Sequence, residues 1–360
     1  QGFNPNPAYR MYSKDSWTYY NGQWMTVYGL MHNQNRDMKW EIKKEFDVGL
    51  DFSLFNRRLN GRMDYFSRKI EDAIYSGIPV ASPPAVYATS TVNIGDITNK
   101  GFEFELNGRV VDTKDWTFDT SLVGSFVGKS RLEGMAKDTH MEFQAMPHGG
   151  GSAVRIFGGQ EIGRYFLYRF AGVREEDGTP MIYSKDNKVI PYASGTDEDR
   201  VQTGNGLPKA VLSWNNTVRY RNWDLNLFFR SWLGQDVYNV TDMIQGVNCK
   251  ITEGQNLLRT AYRRNKAITN TDRLMLLDYW LEKGDFLNLD AVTLGYTLPR
   301  NKIKYVEKLR CYFTVRNVCT LTGYSGLDPE VNVNGLAPGF EGMSQYPRTR
   351  SFILGIEIGF

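Results

Sequence analysis

Apolar and polar residues alternate strictly in several segments of the chain, and this period of two constrains the fold most. Successive side chains of a β-strand point to opposite faces, so strict alternation predicts strands with one apolar face. The last segment, from Thr349 to Phe360, shows it most clearly. Its apolar face consists of Phe352, Leu354, Ile356, Ile358 and Phe360.

The same alternation recurs in four pairs of segments that we interpret as hairpins. Their first apolar positions are Phe46, Phe102, Ala210 and Phe286. We expect about nine strands in all, each near the length that crosses a bilayer at a tilt.

The connections between these strands alternate in length. Turns after Phe55, Val111 and Tyr220 are a few residues long, whereas residues 128–207 and 233–286 form long links. Short periplasmic turns and long outer loops are typical of an outer-membrane β-barrel. A soluble β-sandwich is the alternative, but it would rarely keep every second connection long.

Composition agrees with an all-β fold that faces lipid on one side only. The chain of 360 residues has 21 Tyr and 35 Gly, and its longest apolar run is too short for a spanning helix. A mean hydropathy of −0.45 fits strands that alternate lipid-facing and polar residues. A net charge of +3 gives no electrostatic argument for a nucleic-acid partner.

Aromatic residues lie beside the proposed short turns, where an interfacial girdle belongs. They are Trp116, Tyr220, Trp223 and Tyr296. About nine strands are too few and odd in number for a complete bacterial barrel. We therefore predict part of a larger barrel, with residues 1–40 as an extracellular loop and residues 41–360 as strands and loops. No signal peptide is visible at the start.

Four stretches resemble SusC-like (SusC/RagA) TonB-dependent outer-membrane transporters, in the C-terminal portion of their barrel. They are residues 93–106 (NIGDITNKGFEFEL), 284–299 (GDFLNLDAVTLGYTLP), 317–330 (NVCTLTGYSGLDPE) and 346–360 (YPRTRSFILGIEIGF). The resemblance runs from about Tyr9 to Phe360, and small departures such as Asn288, Asp290 and Cys319 put only the substrate in doubt.

The resemblance implies a function and several partners. It implies import of oligosaccharides or peptides across the outer membrane, with a SusD-like surface lipoprotein as lid. The barrel would be plugged and roughly 22-stranded, of which this chain supplies about nine strands. The signal peptide, N-terminal extension and plug would lie outside this chain, as would the part that meets the TonB complex. The resemblance also allows a dimer of transporter–lipoprotein pairs.

No pattern in the sequence predicts catalysis, a metal site or a cofactor. His32, His140 and His148 have no metal-ligand spacing, and no nucleophile, zinc or phosphate-loop motif occurs. The three cysteines, Cys249, Cys311 and Cys319, fit neither a disulfide framework nor a CxxC motif, and we expect isolated packed thiols. We therefore do not expect an enzyme.

Three weaker patterns have ordinary structural interpretations. Glu103 and Glu105 lie two apart on a strand, so they share a face as polar lining rather than act as a glycosidase pair. The acidic run at 186–187 and 197–199 could hold a cation but is better explained as a solvated loop. Three glycines at 149–151 predict a flexible loop.

Three groups of residues remain as candidate sites. Aromatic residues of the first segment suit sugar faces or peptide side chains, namely Trp17, Tyr19, Tyr20, Trp24 and Tyr28. Asp328 and Glu330 form an acidic turn in the last long loop that could meet the lid or substrate. Ile356, Ile358 and the aromatic terminus Phe360 resemble the signal read by the barrel-assembly machinery.

The leading hypothesis is thus an importer in the bacterial outer membrane, surrounded by lipid. One alternative is a passive porin or adhesin-type barrel, which an upstream part without plug and TonB box would favour. The other is a soluble glycan-binding β-protein, which would need no detergent.

Overall fold

The structure, a computed structural model, covers most of the chain. The residues it describes are 6–80, 83–135, 140–146, 151–247, 254, 256–269, 275–299, 303, 305–333, 335–342 and 346–360. Among them no helix is long and apolar enough to cross a membrane. Helical structure in these ranges is confined to α1 (Val240–Gln245) and to 3₁₀ turns at Asn6–Ala8, Tyr192–Ser194, Asp197–Asp199, Arg259–Tyr262 and Asp278–Trp280.

A large antiparallel sheet, which we call the wall, contains nine long strands that pair in chain order. Numbered with all strands of the chain, they are β3 (Ile42–Leu54), β4 (Leu59–Glu71), β7 (Asp96–Asp112), β8 (Trp116–Val127), β16 (Ala210–Tyr220), β17 (Trp223–Leu233), β20 (Phe286–Thr297), β21 (Lys308–Thr322) and β23 (Ser351–Gly359). The four predicted hairpins and the last strand are confirmed. A short strand, β9 (Arg131–Glu133), adds to β7.

The register gives the wall one apolar and one polar face. Phe102 lies opposite both Tyr65 of β4 and Phe126 of β8, whereas Glu103 lies opposite Asp64 and Ser125. Side chains that lie opposite each other in an antiparallel pair share a face, so the alternation seen in each segment continues across strands. Exposed apolar side chains such as Leu50, Leu354 and Ile356 cover the apolar face.

The two ends of the wall differ. At the short-turn end, two to four residues join β3 to β4, β7 to β8 and β16 to β17. At the opposite, long-loop end the connections are residues 72–95, 128–209, 234–285 and 323–350. The predicted aromatic band lies at the short-turn end, where the ring centroids of Trp116 and Tyr220 are 4.4 Å apart and those of Trp223 and Tyr296 are 4.8 Å apart.

The long connections fold into a second unit, which we call the cap. It contains a six-stranded sheet, a three-stranded sheet and α1. The strands are β10 (His140–Ala145), β11 (Ser152–Phe157), β12 (Tyr165–Val173), β13 (Pro180–Tyr183), β14 (Val189–Pro191), β15 (Arg200–Thr203), β18 (Asp236–Asn239), β19 (Leu281–Lys283) and β22 (Phe340–Glu341). The sequence did not predict this unit.

The cap has its own hydrophobic core. Tyr165, Leu277 and Trp280 are fully buried in it, and the Tyr165 hydroxyl donates to the backbone oxygens of Asp236 at 2.9 Å and Gly339 at 2.8 Å. Gly339 has φ +84°, and a Cβ there would lie 2.1 Å from the Tyr165 hydroxyl. The buried side chain of Tyr165 therefore links loops that are far apart in the sequence.

Two small hairpins complete the described structure. They are β1 (Tyr12–Tyr20) with β2 (Gln23–Leu30), and β5 (Ile74–Pro79) with β6 (Thr89–Asn93). The segment predicted as a loop over residues 1–40 thus carries a two-stranded sheet.

We predict that Gly101→Ala destabilises the wall, because the new Cβ would lie 2.3 Å from Cζ of buried Phe66 and 2.8 Å from the backbone oxygen of Phe126. Overpacking of this kind costs about 1–3 kcal/mol. Gly108→Ala on the same strand is the control, since its Cβ would meet only Thr120 Cγ2, at 3.6 Å. The measurement is the thermal midpoint of unfolding of the full-length protein. Samples are heated to increasing temperatures, and the band of folded protein is quantified on gels run without boiling. Equal losses in both variants would contradict the prediction.

Candidate binding surfaces

The hairpin of β1 and β2 has a tight turn and an isolated sheet. Asn21 and Gly22 join the strands with φ of +48° and +79°. Both residues tolerate this left-handed conformation, which two-residue hairpin turns require. At its base, the Asn33 amide donates to the backbone oxygens of Tyr87 and Thr89, which ties the hairpin to the loop between β5 and β6.

The register places four of the five predicted ligand-binding rings on one face of this hairpin. Tyr19 lies opposite Trp24, with ring centroids 5.4 Å apart. A bulge between Lys14 and Ser16 returns Lys14 to this face, where its ammonium lies 4.1 Å from the ring centre of Trp17. We call this surface the aromatic face; its rings are Tyr12, Trp17, Tyr19, Trp24 and Tyr28.

All rings of the aromatic face are more than half exposed, from 56% for Trp17 to 69% for Trp24. Tyr20 is exposed too but lies on the opposite face, opposite Gln23. Clustered exposed rings mark an interaction surface. The structure thus joins Trp17, Tyr19, Trp24 and Tyr28 and separates Tyr20 from them.

The acidic turn of Asp328 and Glu330 is bound within the chain. Arg348 Nε lies 2.6 Å from Asp328 Oδ2, and Arg348 also contacts Glu330. Glu330 Oε1 accepts from Arg230 of β17 at 3.0 Å. Both carboxylates therefore already have arginine partners, a fact that sequence spacing does not reveal.

The predicted assembly signal lies on the edge strand of the wall. Ile356 pairs with Cys311 and Ile358 with Leu309, and both isoleucines remain at least half exposed on the apolar face. Phe360 follows β23 and is 86% exposed. The three side chains are thus available to another molecule.

The polar face of the wall is lined by ion pairs and amides. Arg109 and Asp119 pair across β7 and β8 at 2.8 Å. Glu103 accepts from Ser125 at 3.3 Å and Glu105 accepts from Asn107 at 2.7 Å, which agrees with their interpretation as lining. These two acids border a cavity of about 480 Å³.

The acidic run of 197–199 pairs with cations, and one of its three carboxylates is buried. Asp197 pairs with the buried guanidinium groups of Arg155 and Arg200, and both lie 4.4 Å from the ring centre of Phe166. Asp199 is buried and accepts from the backbone N–H of Thr196 at 2.8 Å. The prediction of a solvated loop therefore fits the exposed residues Asp197 and Glu198 but is wrong for Asp199, which is buried.

Other sequence predictions have mixed outcomes. Cys311 and Cys319 are free thiols as expected, but they are exposed on the apolar face, so their prediction as packed residues is wrong. Cys249, His148, Gly149 and Gly150 lie outside the described residues. Within the described ranges, no three His, Cys, Asp or Glu side chains gather to hold a metal.

The cap is the feature that sequence analysis missed. Its strands are two to nine residues long, and its core side chains come from segments far apart in sequence. One signal was present: residues 165–173 (YFLYRFAGV) are far more apolar than an exposed loop requires.

A sheet of spanning length with an apolar outer face, a polar inner face and an aromatic band at the short-turn end is the wall of an outer-membrane β-barrel. The family model for the TonB dependent receptor-like beta-barrel matches residues 1–318, and the chain belongs to that family. The apolar face of the wall therefore meets lipid, and the polar face meets the lumen.

Relatives support the same family. The chain is 27% identical over 358 residues to TonB-dependent receptor P3 of Formosa agariphila and 26% identical to TonB-dependent receptor SusC of Bacteroides thetaiotaomicron. Each match covers 91% of this chain but only 35% and 32% of those receptors. The chain thus spans about a third of their length, and its predicted SusC-like membership is confirmed.

A solved structure shares the fold. The RagAB peptide transporter matches 98% of this chain and 39% of its own, with a TM-score of 0.79 and 18% sequence identity. The predicted fold, part of a larger outer-membrane barrel, is confirmed.

We predict that Asp197→Asn loosens the cap near neutral pH but not in acid. Partial burial opposes the charge of Asp197, but Arg155 and Arg200 outweigh it and hold the pKa of Asp197 below its usual 3.8. Its contribution is therefore complete above pH 3.8 and disappears as pH falls through the lower, folded-state pKa. Because its side chain is half exposed, we expect a loss of about 1 kcal/mol.

Hydrogen exchange of residues 152–203 in the full-length protein, at pH 7 and at a pH below the folded-state pKa of Asp197, measures this effect. Asp177→Asn is the control, since its partner Arg174 is 41% exposed whereas the arginine partners of Asp197 are buried. Faster exchange in Asp197→Asn at both pH values would contradict the electrostatic explanation.

Proposed function

We propose that the chain forms part of the wall and the outer cap of a TonB-dependent importer of oligosaccharides or peptides. The observation that carries this proposal is a lipid-facing wall whose lumen side bears ion pairs and whose long connections fold into a cap. Family membership supports it, because TonB-dependent receptors are transport proteins rather than enzymes.

The long connections would lie outside the cell, where the cap and the aromatic face meet the ligand. A SusD-like lipoprotein would act as the lid, and the TonB complex would act through the N-terminal part of the whole protein. A pair of such transporter–lipoprotein units is also part of the proposal. The relative named SusC and the fold shared with the RagAB peptide transporter support this arrangement.

Uptake by intact cells tests the proposal. Cells that express the full-length protein with its lipoprotein are given fluorescent oligosaccharides or peptides, with and without a functional TonB protein. We expect uptake of one class of ligand, lost when TonB is absent. Uptake that persists without TonB would favour the passive barrel instead.

Ligand contact by the aromatic face is a separate prediction. Removing Trp17 and Trp24 together should weaken ligand binding about tenfold or more, because exposed rings that become buried contribute strongly to binding. Tyr20→Ala is the matched control on the other face of the same hairpin. Calorimetry with the purified complex and the ligand found by uptake measures the difference. Equal loss in the control variant would argue against a face-specific site.

The terminal signal gives a further prediction. Deletion of Phe360 should lower the amount of barrel in the outer membrane severalfold, with little change in ligand affinity per assembled barrel. Phe360→Tyr keeps an aromatic terminus and should assemble normally. The amount of folded protein in purified outer membranes measures this, and normal assembly of the deletion variant would contradict the signal.

The contact of Asp328 and Glu330 with the lid stays a prediction. Their carboxylates are engaged by Arg348 and Arg230, so a lid contact would have to share or displace these partners.

A further inference from the structure

An ionic cluster links the last long loop to the lumen side of the wall. Arg230 projects from β17 on the polar face, which it shares with Asn288 and Ser213 of the neighbouring strands. A bulge in β20 adds one residue, Asp290, whose Oδ2 lies 2.8 Å from Arg230 Nε. Bulges re-aim side chains in this way. The wall thus presents an arginine that is held in position by a carboxylate of the next strand.

The last long loop supplies the other members of the cluster. Glu330 binds Arg230, and Arg348, just before β23, binds Glu330 and Asp328. All five side chains are between 18% and 29% exposed. We call these residues, Arg230, Asp290, Asp328, Glu330 and Arg348, the latch.

The same loop is also fixed to the rest of the cap by buried contacts. The Gln235 amide donates to the backbone oxygen of Pro329 at 3.0 Å, and the Tyr324 hydroxyl donates to buried Glu341 at 2.6 Å. Residues 326–331 therefore lie between cap and wall. Their attachment to the cap is buried, whereas their attachment to the wall depends on the latch.

The charges of the latch make it reversible. Partly exposed ion pairs are stronger than fully exposed pairs but can exchange for water, so they break at moderate cost. Two arginines face three acids, and loss of one arginine contact leaves like charges close together. A small change of charge or position should therefore release the turn.

We propose that the latch holds the turn of residues 326–331 on the lumen side of the long-loop end and so narrows the entrance to the barrel. Release of the ion pairs lets the turn move away with the cap and widens that entrance. This inference rests on the proposed transport function only in requiring an open lumen, and not on which ligand is imported.

Hydrogen exchange in the full-length protein tests the hold on the turn. We expect Glu330→Gln to speed exchange of the backbone amides of residues 326–328, 330 and 331 about tenfold, while those of β20 and β21 stay unchanged. Salt near 1 M should do the same to the unmodified protein and add little to the variant. Arg230→Lys keeps the charge but loses the paired contacts of the guanidinium with Asp290, so its exchange should lie between the unmodified protein and Glu330→Gln. Unchanged exchange in Glu330→Gln would overturn the latch, because the cap contacts alone would then hold the turn.

Thiol labelling tests the effect on the entrance. Val211 faces the lumen next to Ser125 and Trp232, one residue inside the long-loop end of β16. In the full-length protein with every native cysteine changed to serine, Val211→Cys is labelled on intact cells by a charged maleimide. Labelling should be severalfold faster with Glu330→Gln than without it. Equal rates, with equal amounts of assembled protein, would overturn the role of the latch at the entrance.

Discussion

Backbone hydrogen bonds that run without interruption from β3 to β23 are the interaction on which the rest of the structure depends. Lipid offers no partner for a backbone N–H or C=O, so a membrane wall must satisfy these groups between its own strands. The ladder fixes the register, and the register sends every second side chain to lipid. Because the remaining side chains point away from lipid, the lumen side can carry charge. Arg310 and Asp224 use that freedom to pair at 2.6 Å across the intervening strand β20.

The intervening residue in that pair is Gly295, and it shows how the wall accommodates long polar side chains. A Cβ at this position would lie 2.6 Å from both the guanidinium and the carboxylate. Because Gly295 has no side chain, the ion pair of Arg310 and Asp224 can pack directly against the backbone of β20. Close approach is also used within the cap, where a Cβ at Gly206 would lie 2.3 Å from the backbone oxygen of Pro338.

The wall could be predicted from the sequence because its determinant is local. Period-two alternation and short turns give strand, face and partner together, as in β16 and β17, which are joined by two residues. The cap could not be predicted in the same way. Its strands are short and its core joins segments such as those of Tyr165 and Trp280, more than a hundred residues apart, so no local period records their pairing.

At the sites, the faces of residues next to β-bulges could not be predicted from the sequence. Aromatic composition drew attention to the first hairpin, but parity alone would put Lys14 on the face away from Trp17. The bulge after Lys14 reverses that parity and brings its ammonium over the ring. The bulge at Asp290 likewise turns a carboxylate toward Arg230. A single added residue moves the neighbouring side chains to the other face of the strand, and the amino-acid composition does not reveal this change.

The two exposed thiols of β21 have a use that follows from the register. Cys311 lies opposite Tyr296 and Ile356, level with the aromatic band, whereas Cys319 lies opposite Leu289, toward the other end of the strand. Eight residues of a tilted strand separate them, which is about 20 Å along the bilayer normal. Spin labels attached to these two thiols would sample lipid at two depths, so the chain already carries two sites from which the position of the wall in its membrane can be measured.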